Sequence, residues 1–193
     1  MATSKLPERP DFRAIEAVAH DSADRRTLVL ALIGNLVFSW SNNESMFIYV
    51  LMLLMDTDET SAAIVFATLN TTRARLDLVQ RLAKARLKDP DISAALDRLI
   101  KDFNACTRVR NEFNHCMYGL NNQGEITHTH TMKLQEVRGQ IRLGAVRPMD
   151  DARIREITEV INDMKRLNRD LWDFLPRLRD HVDQHRPARP DQR

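Results

Sequence analysis

The sequence predicts an all-α fold, a four-helix up-and-down bundle with a small β-hairpin insert before the last helix. Three observations carry that expectation. Apolar residues recur at three- and four-residue spacing over long stretches, the signature of amphipathic helices. Prolines leave long uninterrupted runs between Pro10 and Pro90 and between Pro90 and Pro148, as helix interiors require. Four of the five glycines, Gly119, Gly124, Gly139 and Gly144, fall in one short stretch, which marks the non-helical part.

Composition bounds the remaining choices. A chain of 193 residues with 43% hydrophobic and 29% charged residues suits one domain with a sizeable core, and excludes a wholly disordered chain or a multi-span membrane protein. The net charge of +2 names no partner. The two cysteines, Cys106 and Cys116, would lie roughly 15 Å apart on one helix, too far to bridge. A reducing compartment is therefore expected. Residues 1–11 are polar and no leader is evident, so the expected location is the cytoplasm. Residues 28–38 and 46–55 are strongly apolar, but polar residues 39 and 41–45 divide them, and neither run reaches the ~18 residues of a membrane span.

Each element follows in order. Residues 1–21 read as a flexible N-terminal segment, 22–183 as a single helical domain and 184–193 as a disordered tail. Ser22 can cap a first helix toward Met55, with Val29, Ile33, Leu36, Trp40, Phe47, Leu51 and Leu54 on its apolar stripe and a bend near Asn42. The acidic stretch Asp56-Thr57-Asp58-Glu59 marks a turn and a new helix start, and Val65, Leu69, Thr72, Leu76, Val79, Ala83 and Leu87 predict one second helix. Asp89 and Pro90 read as an N-cap and first helical position, opening a third helix with Ile92, Leu96, Leu99, Phe103 and Cys106 toward Phe113. The insert spans about residues 116–147, with a hairpin turn at 121–124 followed by alternation through 125–132. Pro148 and Asp150 open a last helix, with Ile154, Ile157, Ile161, Met164, Leu167, Leu171 and Phe174, expected to end or kink at Pro176.

The third helix carries the candidate chemistry. Its stripe continues from Cys106 to Arg110, placing a guanidinium where an apolar residue is expected. Such a position is costly unless the charge is paired, so Arg110 is expected to be largely buried and bonded. Asn111, Asn114 and His115 follow, clustering polar groups at the helix end. Arg110 and His115 are separated by about 140° on an ideal helix, so convergence on one ligand needs a loosened helix end or a second chain.

Residues 110–115, Arg-Asn-Glu-Phe-Asn-His, match the Arg-Asn-x-x-x-His motif, and here the chain resembles HEPN domains (higher eukaryotes and prokaryotes nucleotide-binding). The resemblance covers roughly residues 22–183. It implies a helical bundle, a metal-independent endoribonuclease without cofactor, a toxin or defence role, and an antitoxin protein as partner. Asn114 departs from the pattern, since members with this motif often carry a small apolar residue there.

The residue types suit that reaction on their own account. Cleaving RNA through its 2′-hydroxyl needs a proton exchanger near neutral pH, the part of His115. Charge building on phosphorane oxygens needs a planar, permanent cation, the part of Arg110. Asn111 can orient the phosphate or His115. One histidine per chain does not conveniently serve as both base and acid, so a homodimer facing two motifs is expected. Residues 46–55 are apolar around the whole helix and call for cover, which the hairpin could give but a second chain gives better.

Secondary candidates are weaker. Between residues 73 and 88 there are six basic residues and one acid, a face that an RNA backbone could follow through Arg73, Arg75, Arg81 and Lys84. Glu44 can support the site by pairing with Arg110 or Arg73, although a partly exposed polar kink is the favoured reading. His128 and His130, on one face of the hairpin strand, imitate a three-histidine metal site with His115, but no carboxylate completes it and no metal is expected. The rival reading is a non-catalytic helical interaction or nucleotide-binding domain in which the motif is structural.

Overall fold

A computed structural model describes residues 25–121, 125–137 and 139–185. The Ser22 cap, the segment 1–21, turn residues 122–124 and tail residues 186–193 lie outside them. The described chain is mainly helical, with a small antiparallel sheet. In order come α1 (Arg25–Met55), α2 (Glu59–Thr68), α3 (Thr72–Arg86), α4 (Pro90–Asn114), β1 (Cys116–Leu120), β2 (Ile126–Thr131), β3 (Leu134–Val137), β4 (Gln140–Leu143), β5 (Val146–Pro148) and α5 (Asp151–Gln184). They group into two compact units, one of residues 25–41 and 103–166, the other of residues 42–102 and 167–185.

In the unit of residues 42–102 and 167–185, residues 46–55 of α1 are buried or half-buried throughout. Phe47, Val50 and Leu51 are fully buried, and Ile48, Tyr49, Leu53 and Met55 are half-buried. The all-round apolar character of residues 46–55 is thus largely covered within this chain. The helix stops at Asp56, whose φ of 52° is left-handed. Bonds from Asp56 N–H to Leu53 O and from Thr57 N–H to Met52 O close the Schellman arrangement. Asp58 then caps α2, accepting from the Ser61 N–H at 2.9 Å, and those bonds hold its carboxyl below the usual range.

The expected second helix is two helices. Thr71 accepts from the Ala74 N–H at 3.1 Å and starts α3, while Arg75 reaches back to the terminal carbonyls of α2. Its Nε–H donates to Phe66 O at 3.1 Å and Leu69 O at 3.0 Å, and its guanidinium lies over the Phe66 ring. Orphan carbonyls at a helix end need such partners. Asp89 caps α4 as expected, accepting from the Asp91 N–H at 2.8 Å with Pro90 at the first helical position.

In the unit of residues 25–41 and 103–166, β1 pairs antiparallel with β2, and β2 with β5; β3 and β4 form a separate hairpin. The insert is therefore larger than one hairpin. Pro148 is the last residue of β5 rather than the start of a helix, a place where its missing N–H is harmless. Asp150 caps α5, accepting from the Arg153 N–H at 2.9 Å. Helix α5 does not end at Pro176 but runs on to Gln184. Pro176 is exposed, while Phe174, Leu175 and Leu178 around it are buried, so packing outweighs the lost backbone bond.

Candidate functional site

The end of α4 is built on an aromatic platform. Trp40 of α1 is 7% exposed and stacks on Phe103, with ring centroids 5.7 Å apart. Its indole N–H donates to the Thr107 hydroxyl at 2.8 Å, and that hydroxyl donates to Phe103 O. The Arg110 guanidinium carbon lies 3.2 Å from the centroid of the Trp40 ring. Phe103, Thr107 and Arg110 thus follow one helical stripe onto a single indole. Arginine interrupts the apolar pattern because its flat cation covers the ring as an apolar side chain would, with a cation–π attraction added. Arg110 is half-buried rather than largely buried, and its Nη1 donates to the Asn111 side-chain oxygen at 2.7 Å.

Asn111 and His115 are exposed. The His115 N–H donates to Asn111 O at 3.1 Å, closing the last helical turn, and its carbonyl accepts from the Met132 N–H at 3.3 Å. His115 therefore sits at the hinge from helix to sheet. Beneath it, Phe113 O accepts from the Tyr118 hydroxyl at 2.7 Å and the Cys116 thiol at 3.4 Å. Burial pushes both of these acids up from their ordinary values, so both stay protonated donors.

No family model matches the chain, and no curated protein or solved structure matches it.

A charged cluster on the same stretch of helix was not anticipated. Glu112 accepts from Arg147 Nη1 at 2.9 Å and from Arg153 Nη2 at 2.7 Å, and both arginines also bond Glu156. Arg153 is buried, at 4% exposure, with its guanidinium over the Phe113 ring. Burial works against the Glu156 carboxylate, but Arg153 and Arg147 outweigh it and hold its pKa below the usual range. This network ties the motif stretch to β5 and α5. The signal available in the sequence was Glu112 inside the motif, one position from Phe113 on a helix face that turns inward.

The remaining candidates separate. Within its own unit Glu44 bonds not Arg73 but Arg75, at 3.0 Å, and accepts from the Thr72 hydroxyl at 2.6 Å. That locks Arg75 into the α2–α3 junction, with 21% of its side chain exposed. Arg73, Arg81 and Lys84 are exposed on α3, with Arg73 near Asp77 at 4.0 Å. His128 and His130 are half-exposed on β2. Among the described residues, no group of three or more His, Cys, Asp or Glu side chains is arranged to hold a metal ion. No described helix is long and apolar enough to cross a membrane.

Proposed function

We propose that the chain is a HEPN-type, metal-independent endoribonuclease on a four-helix up-and-down scaffold, with His115 as proton-transfer group, Arg110 as phosphate-charge stabiliser and Asn111 orienting the phosphate. The observation that carries this reading is the end of α4. A guanidinium is held in place on Trp40, bonded to Asn111, and His115 stands exposed one turn later. Preorganised cation and titratable imidazole on one helix end are what phosphodiester cleavage through the 2′-hydroxyl requires. The reading extends to a cytoplasmic toxin or defence protein that works as a homodimer and pairs with an antitoxin protein. RNA would follow the exposed basic residues Arg73, Arg81 and Lys84.

The test is RNA cleavage by purified protein with and without EDTA, beside His115→Ala. EDTA-resistant cleavage that disappears in His115→Ala supports the reading. Absence of cleavage on every RNA tried favours the rival, a helical interaction or nucleotide-binding domain. That rival draws on the same contact, because an arginine packed on a buried tryptophan already has a structural role.

A further inference from the structure

We infer that His130 is the second proton-transfer group of this site, so that one chain carries both histidines needed to cleave a phosphodiester; the inference rests on the ribonuclease reading above. Its basis is sheet register. Cys116 pairs with Thr131 and Met117 with His130. The bond from the Met132 N–H to His115 O carries the pairing one step further and sets His115 opposite Met132.

Paired residues share a face, and faces alternate along each strand. The inner face is identified by its bonds: Tyr118 reaches Phe113 O, its partner Thr129 is 1% exposed, and Arg147 beyond it enters the Glu112 network. The opposite face carries Met117, His130 and Val146 in one row, with Met117 51% and Val146 60% exposed. His115, two residues before Met117 and itself exposed, continues that face beside Met132, which is 50% exposed.

His115 and His130 are therefore diagonal neighbours on the outer face of the sheet. Such positions lie ~7–8 Å apart along the backbone, within reach of two long side chains. Each ring can then stand a hydrogen bond of about 3 Å from its own oxygen of one phosphodiester. His128 is drawn away from the pair. Its Nδ1 lies 2.9 Å from the Thr127 hydroxyl, and its ring covers Gly119, where a Cβ would come within 2.0 Å of Cε1. Glycine at 119 is what admits the ring there.

The reaction balances within the chain. Neutral His115 takes the 2′-hydroxyl proton as the 2′-oxygen bonds to phosphorus. The bond from phosphorus to the 5′-oxygen breaks, and protonated His130 gives its proton to that leaving oxygen. The products are a 2′,3′-cyclic phosphate and a 5′-hydroxyl, and exchange with water restores both rings.

The test uses full-length protein and two substrates: a mixed-sequence RNA oligonucleotide, and a ribonucleoside 3′-(4-nitrophenyl phosphate), whose leaving group needs no proton. His130→Ala should lower RNA cleavage by about 10²–10⁴-fold yet keep near wild-type rate on the nitrophenyl ester. His115→Ala should lose both, and His128→Ala neither. His130→Gln, with an unchanged thermal melt, should behave as His130→Ala and excludes misfolding as the cause. If the wild type is active and His130→Ala cleaves RNA normally, or loses both substrates equally, the assignment of His130 is overturned while the ribonuclease reading stands. A wild type inactive on both substrates overturns the two together. Recovery of RNA cleavage on mixing His115→Ala with His130→Ala would place the pair across two chains and overturn the single-chain assignment.

Discussion

Two helical runs in this chain stop near an arginine that lies over an aromatic ring, and they leave very different surfaces behind. At residues 69–71 the carbonyls of Phe66 and Leu69 are taken by Arg75, whose charge is met at once by Glu44. Both side chains are mostly shielded, at 21% and 12% exposure. At residues 114–118 the carbonyl of Phe113 is taken instead by a neutral phenol and a thiol, Tyr118 and Cys116. Arg110 is then not needed as a cap; it lies on Trp40, while Asn111, Asn114 and His115 face solvent. Capping by a cation consumes the cation. Capping by a phenol leaves the polar side chains of the last turn available for a ligand.

The contrast can be broken most severely at the charge network behind the second junction. Arg153→Ala should destabilise the protein by about 3–5 kcal/mol, because it leaves Glu112 and Glu156 sharing only Arg147. Chemical denaturation of the variant beside the wild type measures this, and a loss under ~1 kcal/mol would show the network to be solvated surface charge. The same network predicts an acid limb. The folded-state pKa of Glu156 is depressed, so its contribution is complete above its ordinary value of 4.5 and disappears as pH falls through the lower folded value. Glu156→Gln should flatten that limb.

Glu44→Ala comes next, at about 3 kcal/mol, since Arg75 keeps some access to water and retains the two carbonyls. The expected loss is in stability, read by thermal melting. On the ribonuclease reading proposed above, cleavage measured well below the melting range should be unaffected. A variant that melts normally would show that the two carbonyls alone hold Arg75, and would weaken the distinction between the two junctions.

Helix starts were legible because a short acceptor side chain followed by an apolar run has one dominant use: Asp58, Asp89 and Asp150 all cap helices. The break before α3 was not, because Leu69 and Thr72 preserve the apolar spacing across it and the deciding contact comes from Glu44, distant in sequence. In the sequence Arg75 reads as one basic face with Arg73, Arg81 and Lys84 for the same reason. A charge run does not say which member turns inward. The first hairpin was readable from its turn and alternation, whereas β5 is three residues long and ends in proline, too short to show a period. Residues 46–55 signal burial on every side, and packing within this chain supplies most of that cover. The polar cluster of residues 110–115 was legible at the helix end, but its platform, Trp40, and its anchor, Arg153, lie 70 and 43 residues from Arg110, and only folding brings them in.

The smallest effect tests the second junction directly. Tyr118→Phe removes one donor to Phe113 O while the Cys116 thiol remains on the same carbonyl, so the expected loss is about 1 kcal/mol. Burial, followed by the neighbouring Cys116, raises the Tyr118 pKa above its ordinary 10. The neutral phenol is thus the form the fold favours. Its contribution is present below pH 10 and is lost as pH rises toward the folded-state value, so the stability gap between wild type and Tyr118→Phe should hold steady at neutral pH and narrow only in strong alkali. Phenolate absorbance followed through the same titration should show one late-ionising tyrosine in the wild type that the variant lacks. If Tyr118→Phe also shifts the ring resonances of His115, the phenol positions the helix end as well as capping it. Unmoved resonances would leave the placement of His115 to its own backbone bonds with Asn111 and Met132.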